Sequence, residues 1–188
     1  KDIAEENINT IIGKRIPCKY IRREDNNGYD ALGSHEEYVG IDRDGNETIL
    51  VNTEAVGFIE NVYIDTYVDK DGNEKEAVFG DIVLWNDDKY KDIVGLLKEW
   101  IENGISINMS CEYYYFNYTV KDGIEYIQSP IYFNAHTLLN SEDRGDMLEV
   151  LPAYECATLI SINQVNMWNK AVSQLDIKNS KNSKEDNE

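Results

Sequence analysis

The chain has 188 residues with 36 acidic and 18 basic side chains, giving a formal net charge of -18. This charge excludes binding to nucleic acid or anionic membranes by general electrostatic attraction, so the expected partners are proteins. Three widely spaced cysteines predict neither a disulfide framework nor a zinc site, and no apolar run approaches the roughly 18–20 residues of a membrane span. These features predict one cytosolic domain.

The first half of the chain is predicted to be mostly β. In order, the expected elements are a weak helix over 1–17, an irregular, turn-rich segment over 25–52 that ends in a short strand, and a hairpin. The two hairpin strands cover 55–68 and 77–85, where β-branched and aromatic residues are frequent.

A helix is predicted over residues 86–104. Its apolar side chains recur at three- and four-residue spacing: Tyr90, Ile93, Leu97, Trp100 and Ile101. Asp87 or Asp88 can cap its start, and Gly104 can provide the left-handed residue at its end.

The next segment, GISINMSCEYYYFNY, alternates as a strand does. The apolar side, expected to face the core, comprises Ile105, Ile107, Met109, Cys111, Tyr113 and Tyr115, and the polar side comprises Ser106, Asn108, Ser110 and Glu112. A turn near 120–127 leads into a strand over 129–140, and two further strands are expected in 147–163, interrupted at Pro152. Residues 176–188 are polar and are predicted to be disordered.

Two other patterns have structural interpretations. The sequences DRDGN (42–46) and DKDGN (69–73) are similar to the start of a calcium-binding loop, but neither has the glutamate at the twelfth position nor the flanking helices. We therefore predict two hairpin turns. The tyrosines between 113 and 118 favour an edge or interface role over base stacking, given the net charge.

Ser110 and Glu112 lie on one face of the predicted strand. Solvent contact alone explains polar residues in these positions, whereas a nucleophilic serine needs a base within hydrogen-bonding reach. The chain has two histidines for that purpose, His35 and His136.

The order of the segments resembles that of the capsid maturation (prohead) proteases of tailed phages, whose fold is shared with the herpesvirus assemblins. The matching pieces, within about residues 30–163, are GSHEEYVG, VGFIENVYID, a strand ending in LW, YKDIVGLLKEWIENG, INMSCEY and LPAYECA. The resemblance implies an α+β, mainly β fold, a distorted antiparallel barrel or sheet with packed helices. It implies an N-terminal segment (1–30), a protease-like domain (30–165), and a helix end with a disordered linker or tail (166–188).

The resemblance also implies roles for individual residues. Ser110, in SCE, takes the place of the nucleophile, and His35 is the upstream candidate for the general base. His136, 26 residues after Ser110, matches the second histidine of assemblins, and Arg144 beside Gly145 matches their oxyanion arginine. Glu112 is the alternative orienting group, and which histidine acts as the base stays open. Neither a metal nor an organic cofactor is implied.

The implied function is a serine endopeptidase that cleaves phage scaffold proteins, capsid-protein extensions and itself inside the immature head, in the bacterial cytoplasm. Its partners would be capsid and scaffold proteins and further copies of itself, for example as a dimer. Two alternatives are an inactive protease-fold scaffold or assembly protein and an unrelated β-rich structural or adaptor protein. We further expect the gene product to continue past Glu188, with self-cleavage near 176–188.

Overall fold

The computed structural model describes residues 2–69, 71–154 and 157–162. Strands account for 50% of the residues and helices for 14%, so the prediction of a mainly β chain is confirmed. The strands are β1 (Arg15–Cys18), β2 (Tyr20–Ile21), β3 (Ala31–Leu32), β4 (Glu37–Ile41), β5 (Glu47–Val51), β6 (Glu54–Val68), β7 (Glu74–Leu84), β8 (Ile107–Lys121), β9 (Ile124–Leu138) and β10 (Thr158–Leu159).

The main sheet has six strands in the order β10-β8-β9-β1-β6-β7 and curls into a half-barrel. The short strand β1 lies between the two long hairpins. It pairs antiparallel with β6 and parallel with β9, where Arg15 lies opposite Ala135. The preceding residues form the helix α1 (Asp2–Asn7) and a 3₁₀ turn (Ile8–Ile11). The N-terminal segment predicted at 1–30 therefore supplies the strand that joins the two long hairpins.

The predicted hairpin at 55–85 is confirmed as β6–β7, and the motif DKDGN closes it as a turn. The Asp69 carboxylate accepts hydrogen bonds from the backbone N–H groups of Asp71 and Asn73, both at 2.9 Å. Gly72 has a φ of +84°, a conformation that glycine adopts without steric cost. Since the same turn recurs at Asp42, both motifs are hairpin turns, as predicted.

The second of these turns corrects the prediction for residues 25–52. The short strand predicted at its end is confirmed as β5, but the residues before it are not irregular throughout, because β4 pairs with β5 in a hairpin closed by the turn at 42–46. The ribbon is a separate two-stranded sheet, and its apolar side chains Val39 and Ile49 are 70% and 66% exposed. Without a core-facing side, the strands lack the alternation that identifies a half-buried strand.

The β8–β9 hairpin closes differently. Lys121 pairs with Ile124, so the loop has two residues, Asp122 and Gly123, with φ values of +54° and +78°. Positive φ at both positions defines a type I′ turn, whose twist matches that of the flanking strands.

The predicted helix is confirmed as α2 (Lys91–Glu102), and Gly104 follows it with a φ of +77°. Asp87 acts one turn before the helix, where its carboxylate accepts a hydrogen bond from the Lys89 N–H at 2.9 Å. The apolar side of α2 packs on the sheet and forms the core, in which Leu97 and Trp100 are fully buried.

The segment after β9 corrects another prediction. Among the described residues of 147–163, only β10 is a strand; residues 148–152 form none. Buried Asn140 holds this segment instead, since its side chain donates to the carbonyls of Glu142 (2.7 Å) and Leu148 (2.8 Å). Side-chain hydrogen bonds thus replace a strand ladder here.

The predictions for 166–188 lie outside the described residues. Within the described ranges, no helix has the length and apolar character to cross a membrane.

Candidate functional site

The predicted nucleophile lies where β8 enters the body of the domain. Ser110 pairs with Thr137 and Glu112 pairs with Ala135, so Ser110, Glu112 and Thr137 share one face of the sheet. Ser110 is half-buried. The structure thus brings Ser110 and Glu112 together on one face, as the alternation predicted.

The Glu112 carboxylate is engaged by three neighbours. It accepts hydrogen bonds from the Thr137 hydroxyl and, at 3.2 Å, from the Asn134 side chain, and it lies 3.8 Å from the Arg15 guanidinium group. These partners come from β9 and β1, so Glu112 links three adjacent strands. Its side chain is only 19% exposed, unlike that of a solvated acid.

His136 lies on the other face. It pairs with Cys111, which alternates with Ser110 along β8, and its ring stacks on Phe133 at a centroid distance of 6.1 Å. Burial lowers the pKa of His136, against the opposing effect of Glu112, so the neutral imidazole is favoured. Its Nδ1 atom is buried and has no hydrogen-bonding partner among the described residues.

Two β-bulges in the β8–β9 hairpin determine which face of the sheet each of Ser110 and His136 occupies. The pairing of β8 with β9 shifts by one residue between Tyr115 and Asn117 and again between Glu112 and Tyr113, where Asn134 is the extra residue in β9. Each shift exchanges the faces of the residues beyond it. Without the shift at Asn134, His136 would lie directly opposite Ser110.

His35 lies in the connection between β3 and β4 and is half-buried. Its surroundings are fixed by the backbone: the Gly33 N–H donates to the Lys19 carbonyl at 2.8 Å, and the Glu36 N–H donates to the Asn52 side chain at 3.2 Å. In the part of the chain that the structure describes, no hydrogen bond joins Ser110 to His35 or His136. The catalytic roles of both histidines stay predictions.

Cys111 is the neighbour of His136 that the sequence did not reveal. Burial, together with the negative charge of Glu112, raises the pKa of its thiol to about 12, so the thiol is protonated near neutral pH. Cys111 and His136 thus face each other as two neutral groups. Only the register of the hairpin discloses this pair.

Arg144 is held in an ion-pair network near the end of α2. Its guanidinium group lies 2.8 Å from the Glu142 carboxylate and 2.7 Å from that of Glu99, and the Trp100 indole donates to Glu142 at 2.6 Å. The charge of Arg144 is therefore balanced by two carboxylates. The oxyanion role of Arg144 stays a prediction.

Gly145 is fixed by a buried asparagine that sequence reasoning missed. The Asn26 side chain accepts from the Asp146 N–H at 2.7 Å and donates to the Arg144 carbonyl at 3.0 Å. Gly145 has a φ of +62°, and a Cβ atom there would lie 2.5 Å from the Asn26 carbonyl oxygen. The glycine is thus required by the fold of the 142–147 loop.

A surface cleft of about 630 Å³ lies beside this loop rather than beside Ser110. It is lined by Asn27, Tyr29, Glu99, Asn103, Glu142, Asp143, Arg144 and Gly145. In the described residues, no three or more His, Cys, Asp or Glu side chains are arranged to hold a metal ion.

The family model of the YonD N-terminal domain matches residues 1–184. The chain belongs to the YonD N-terminal domain family. It is similar to the SPbeta prophage-derived protein YonD of Bacillus subtilis (strain 168), with 42% identity over 175 residues. The match covers 93% of this chain and 36% of that protein, so the chain spans about a third of its relative. No solved structure matches the chain.

The prophage origin is a property of that relative. The resemblance to prohead proteases stays a prediction beside it. In this YonD N-terminal domain, the functional groups at the predicted nucleophile are the Ser110 hydroxyl and the Glu112 carboxylate. The carboxylate already accepts two hydrogen bonds.

Proposed function

We propose that the chain is a binding module of phage-particle assembly that acts without hydrolysing peptide bonds. Its partners are capsid and scaffold proteins of the phage. The observation that carries the proposal is that both long hairpins extend beyond the core as arms with solvent on both faces. We name them the acidic arm (β6–β7, residues 54–84) and the aromatic arm (β8–β9, residues 107–138).

The acidic arm has the features of a contact surface. Tyr63 and Ile64 point to opposite faces of β6, yet they are 41% and 37% exposed, so the sheet covers neither face there. Val68 is 65% exposed, and the arm contains eight acidic residues and two lysines. Apolar side chains amid negative charge suit a protein partner with apolar and basic residues.

The position of the polar groups also supports a non-catalytic role. Glu112 links three strands through Thr137, Asn134 and Arg15, which is a structural task. His136 lies on the face opposite Ser110, and a base must reach the hydroxyl to activate it. Phage association itself rests on the prophage origin of the relative.

A serine endopeptidase is the second candidate. It is supported by the resemblance to prohead proteases and by the position of Ser110 and Glu112 on a rigid strand face. In that case Ser110 attacks the scissile carbonyl, and His35 or His136 must approach it through a change of backbone conformation.

One experiment separates the two candidates. Ser110→Ala and a shortened acidic arm, with residues 64–78 replaced by Asn-Gly, are introduced separately into the complete phage gene. Head assembly is then measured by electron microscopy, and processing of capsid and scaffold proteins by mass spectrometry. We expect normal assembly and processing with Ser110→Ala, and loss of normal heads with the shortened arm, because only the second change removes a binding surface.

The converse result supports hydrolysis. If Ser110→Ala blocks processing while the shortened arm assembles normally, the chain is a peptidase and the binding-module proposal fails. Ser106→Ala is the matched control, since Ser106 precedes β8 and is exposed.

A further inference from the structure

One face of the aromatic arm carries large side chains in contact with solvent. Tyr114, Phe116 and Tyr132, which we call the aromatic face, are 60%, 73% and 47% exposed. Tyr114 and Tyr132 are direct cross-strand neighbours, and the edge of Phe116 meets the Tyr132 ring at a centroid distance of 6.1 Å. The rings thus form a continuous surface.

The opposite face of this arm is covered in part. Tyr113, Tyr115 and Ile127 pack against the core, and the Asn7 side chain of α1 donates to the Ser129 hydroxyl at 3.2 Å. Beside the core, the aromatic face is therefore exposed while the opposite face of the hairpin is packed. Aromatic side chains on a rigid surface are typical anchors of protein interfaces.

The charge distribution indicates what covers this face. Residues 113–120 and 126–135 contain no Lys, Arg, Asp or Glu, although these types make up 29% of the chain. A partner selected by charge complementarity would require charges here. A neutral, aromatic partner fits, and a second copy of the chain presents that surface by identity.

The rest of the chain restricts where two copies can meet. The chain carries a net charge of -18, whereas residues 107–138 contain three acidic residues and one lysine. Contact through other surfaces brings like charges together, which is unfavourable. Contact through the aromatic arm keeps most of that charge apart.

We propose that the aromatic face is the interface of a homodimer, in which the arms of two copies pack face to face about a two-fold axis. The inference is independent of the partners named above. It makes a specific electrostatic prediction. Added salt screens the repulsion between two acidic copies and strengthens the dimer, whereas it weakens binding to a basic partner.

Sedimentation equilibrium of the purified full chain tests the proposal at about 0.05 M and about 0.5 M NaCl. We expect a monomer–dimer equilibrium with the tighter dimer at high salt, and at least about tenfold weaker dimerisation for Phe116→Ser. Val68→Ser is the matched control, since Val68 is an exposed apolar residue of the other arm (65%), and it should leave dimerisation unchanged.

Circular dichroism of each variant checks its fold, and Tyr114→Ser replaces Phe116→Ser if the latter unfolds. A wild-type chain that is monomeric at about 100 µM in both salt concentrations overturns the proposal. A dimer that resists both aromatic substitutions, or that Val68→Ser weakens equally, overturns it as well.

Discussion

The acidic arm and the aromatic arm share a backbone architecture but differ in sequence. Both are long antiparallel hairpins joined through β1, but the acidic arm carries eight acidic residues and two lysines, whereas the aromatic arm carries three and one. They also turn differently: one closes through the Asp69 carboxylate, the other through the positive φ angles of Asp122 and Gly123. Backbone architecture is thus shared, while surface chemistry and turn chemistry separate the arms.

The largest expected effect concerns the buried base that supports the aromatic arm. Leu138 is fully buried at the end of β9, so Leu138→Ala should lower the free energy of unfolding by about 2–5 kcal/mol through lost burial and a cavity. Ile124→Ala, at the exposed tip of the same hairpin, should change it by less than about 0.5 kcal/mol. Urea denaturation measures both, and equal effects would contradict a core confined to the base.

The turn of the aromatic arm gives the next effect. Gly123→Ala should destabilise the chain by about 1–2 kcal/mol, because a residue with a Cβ atom is strained at a φ of +78°. Gly95→Ala in α2 is the control with the opposite sign. An added Cβ there meets no atom of the described residues within 4 Å, and alanine should stabilise the helix by about 0.5–1 kcal/mol. A shared sign in thermal unfolding would refute the turn assignment.

The free energy of unfolding near neutral pH should report on His136, which lies at the core end of the aromatic arm. Burial lowers the pKa of His136, so the unfolded chain binds its proton at a higher pH than the folded chain does. Proton binding to the unfolded chain therefore destabilises the fold. This loss of stability is absent above about pH 6.5 and grows as pH falls below that value. His136→Gln should reduce the loss of stability between pH 7.5 and 5.5. His35→Gln provides the comparison, and an equal reduction there would argue against burial of His136 as the cause.

The smallest effect should be local to the turn of the acidic arm. Hydrogen bonds from Lys75 and from the backbone of Asn73 lower the pKa of Asp69 below its ordinary value of 3.8. Its contribution to the turn is present above that pH and disappears as pH falls towards the lower pKa of the folded state. The Asn73 amide should then lose protection from hydrogen exchange. Asp69→Asn should abolish the pH dependence, and a persistent dependence would implicate another group.

The elements with strong local signals were predictable. The helical spacing identified α2, and the two Asp-Gly-Asn turns and the Asp-Gly turn marked the hairpins. In the β4–β5 ribbon the turn and the second strand were predicted, but β4 was missed because it has no buried side to impose alternation. The asparagines that organise 140–147 were also missed, since Asn26 and Asn140 act through backbone groups distant in sequence.

The site was less predictable because it depends on the register of the β8–β9 hairpin. The spacing of 26 residues between Ser110 and His136 leaves their relative faces undetermined, because each β-bulge exchanges the faces beyond it. The extra residue Asn134 places His136 opposite Cys111. Composition and periodicity carry no signal for a single-residue insertion of this kind.

The position of β1 has a consequence for biosynthesis. Residues 15–18 are synthesised before both of their neighbours in the sheet, yet their pairing with β9 requires residue Ala135. A nascent chain can form β6–β7 early, but the sheet cannot close until β9 has left the ribosome. Strand β1 can pair with β9 only after more than a hundred further residues have been translated. The half-barrel therefore forms late in synthesis.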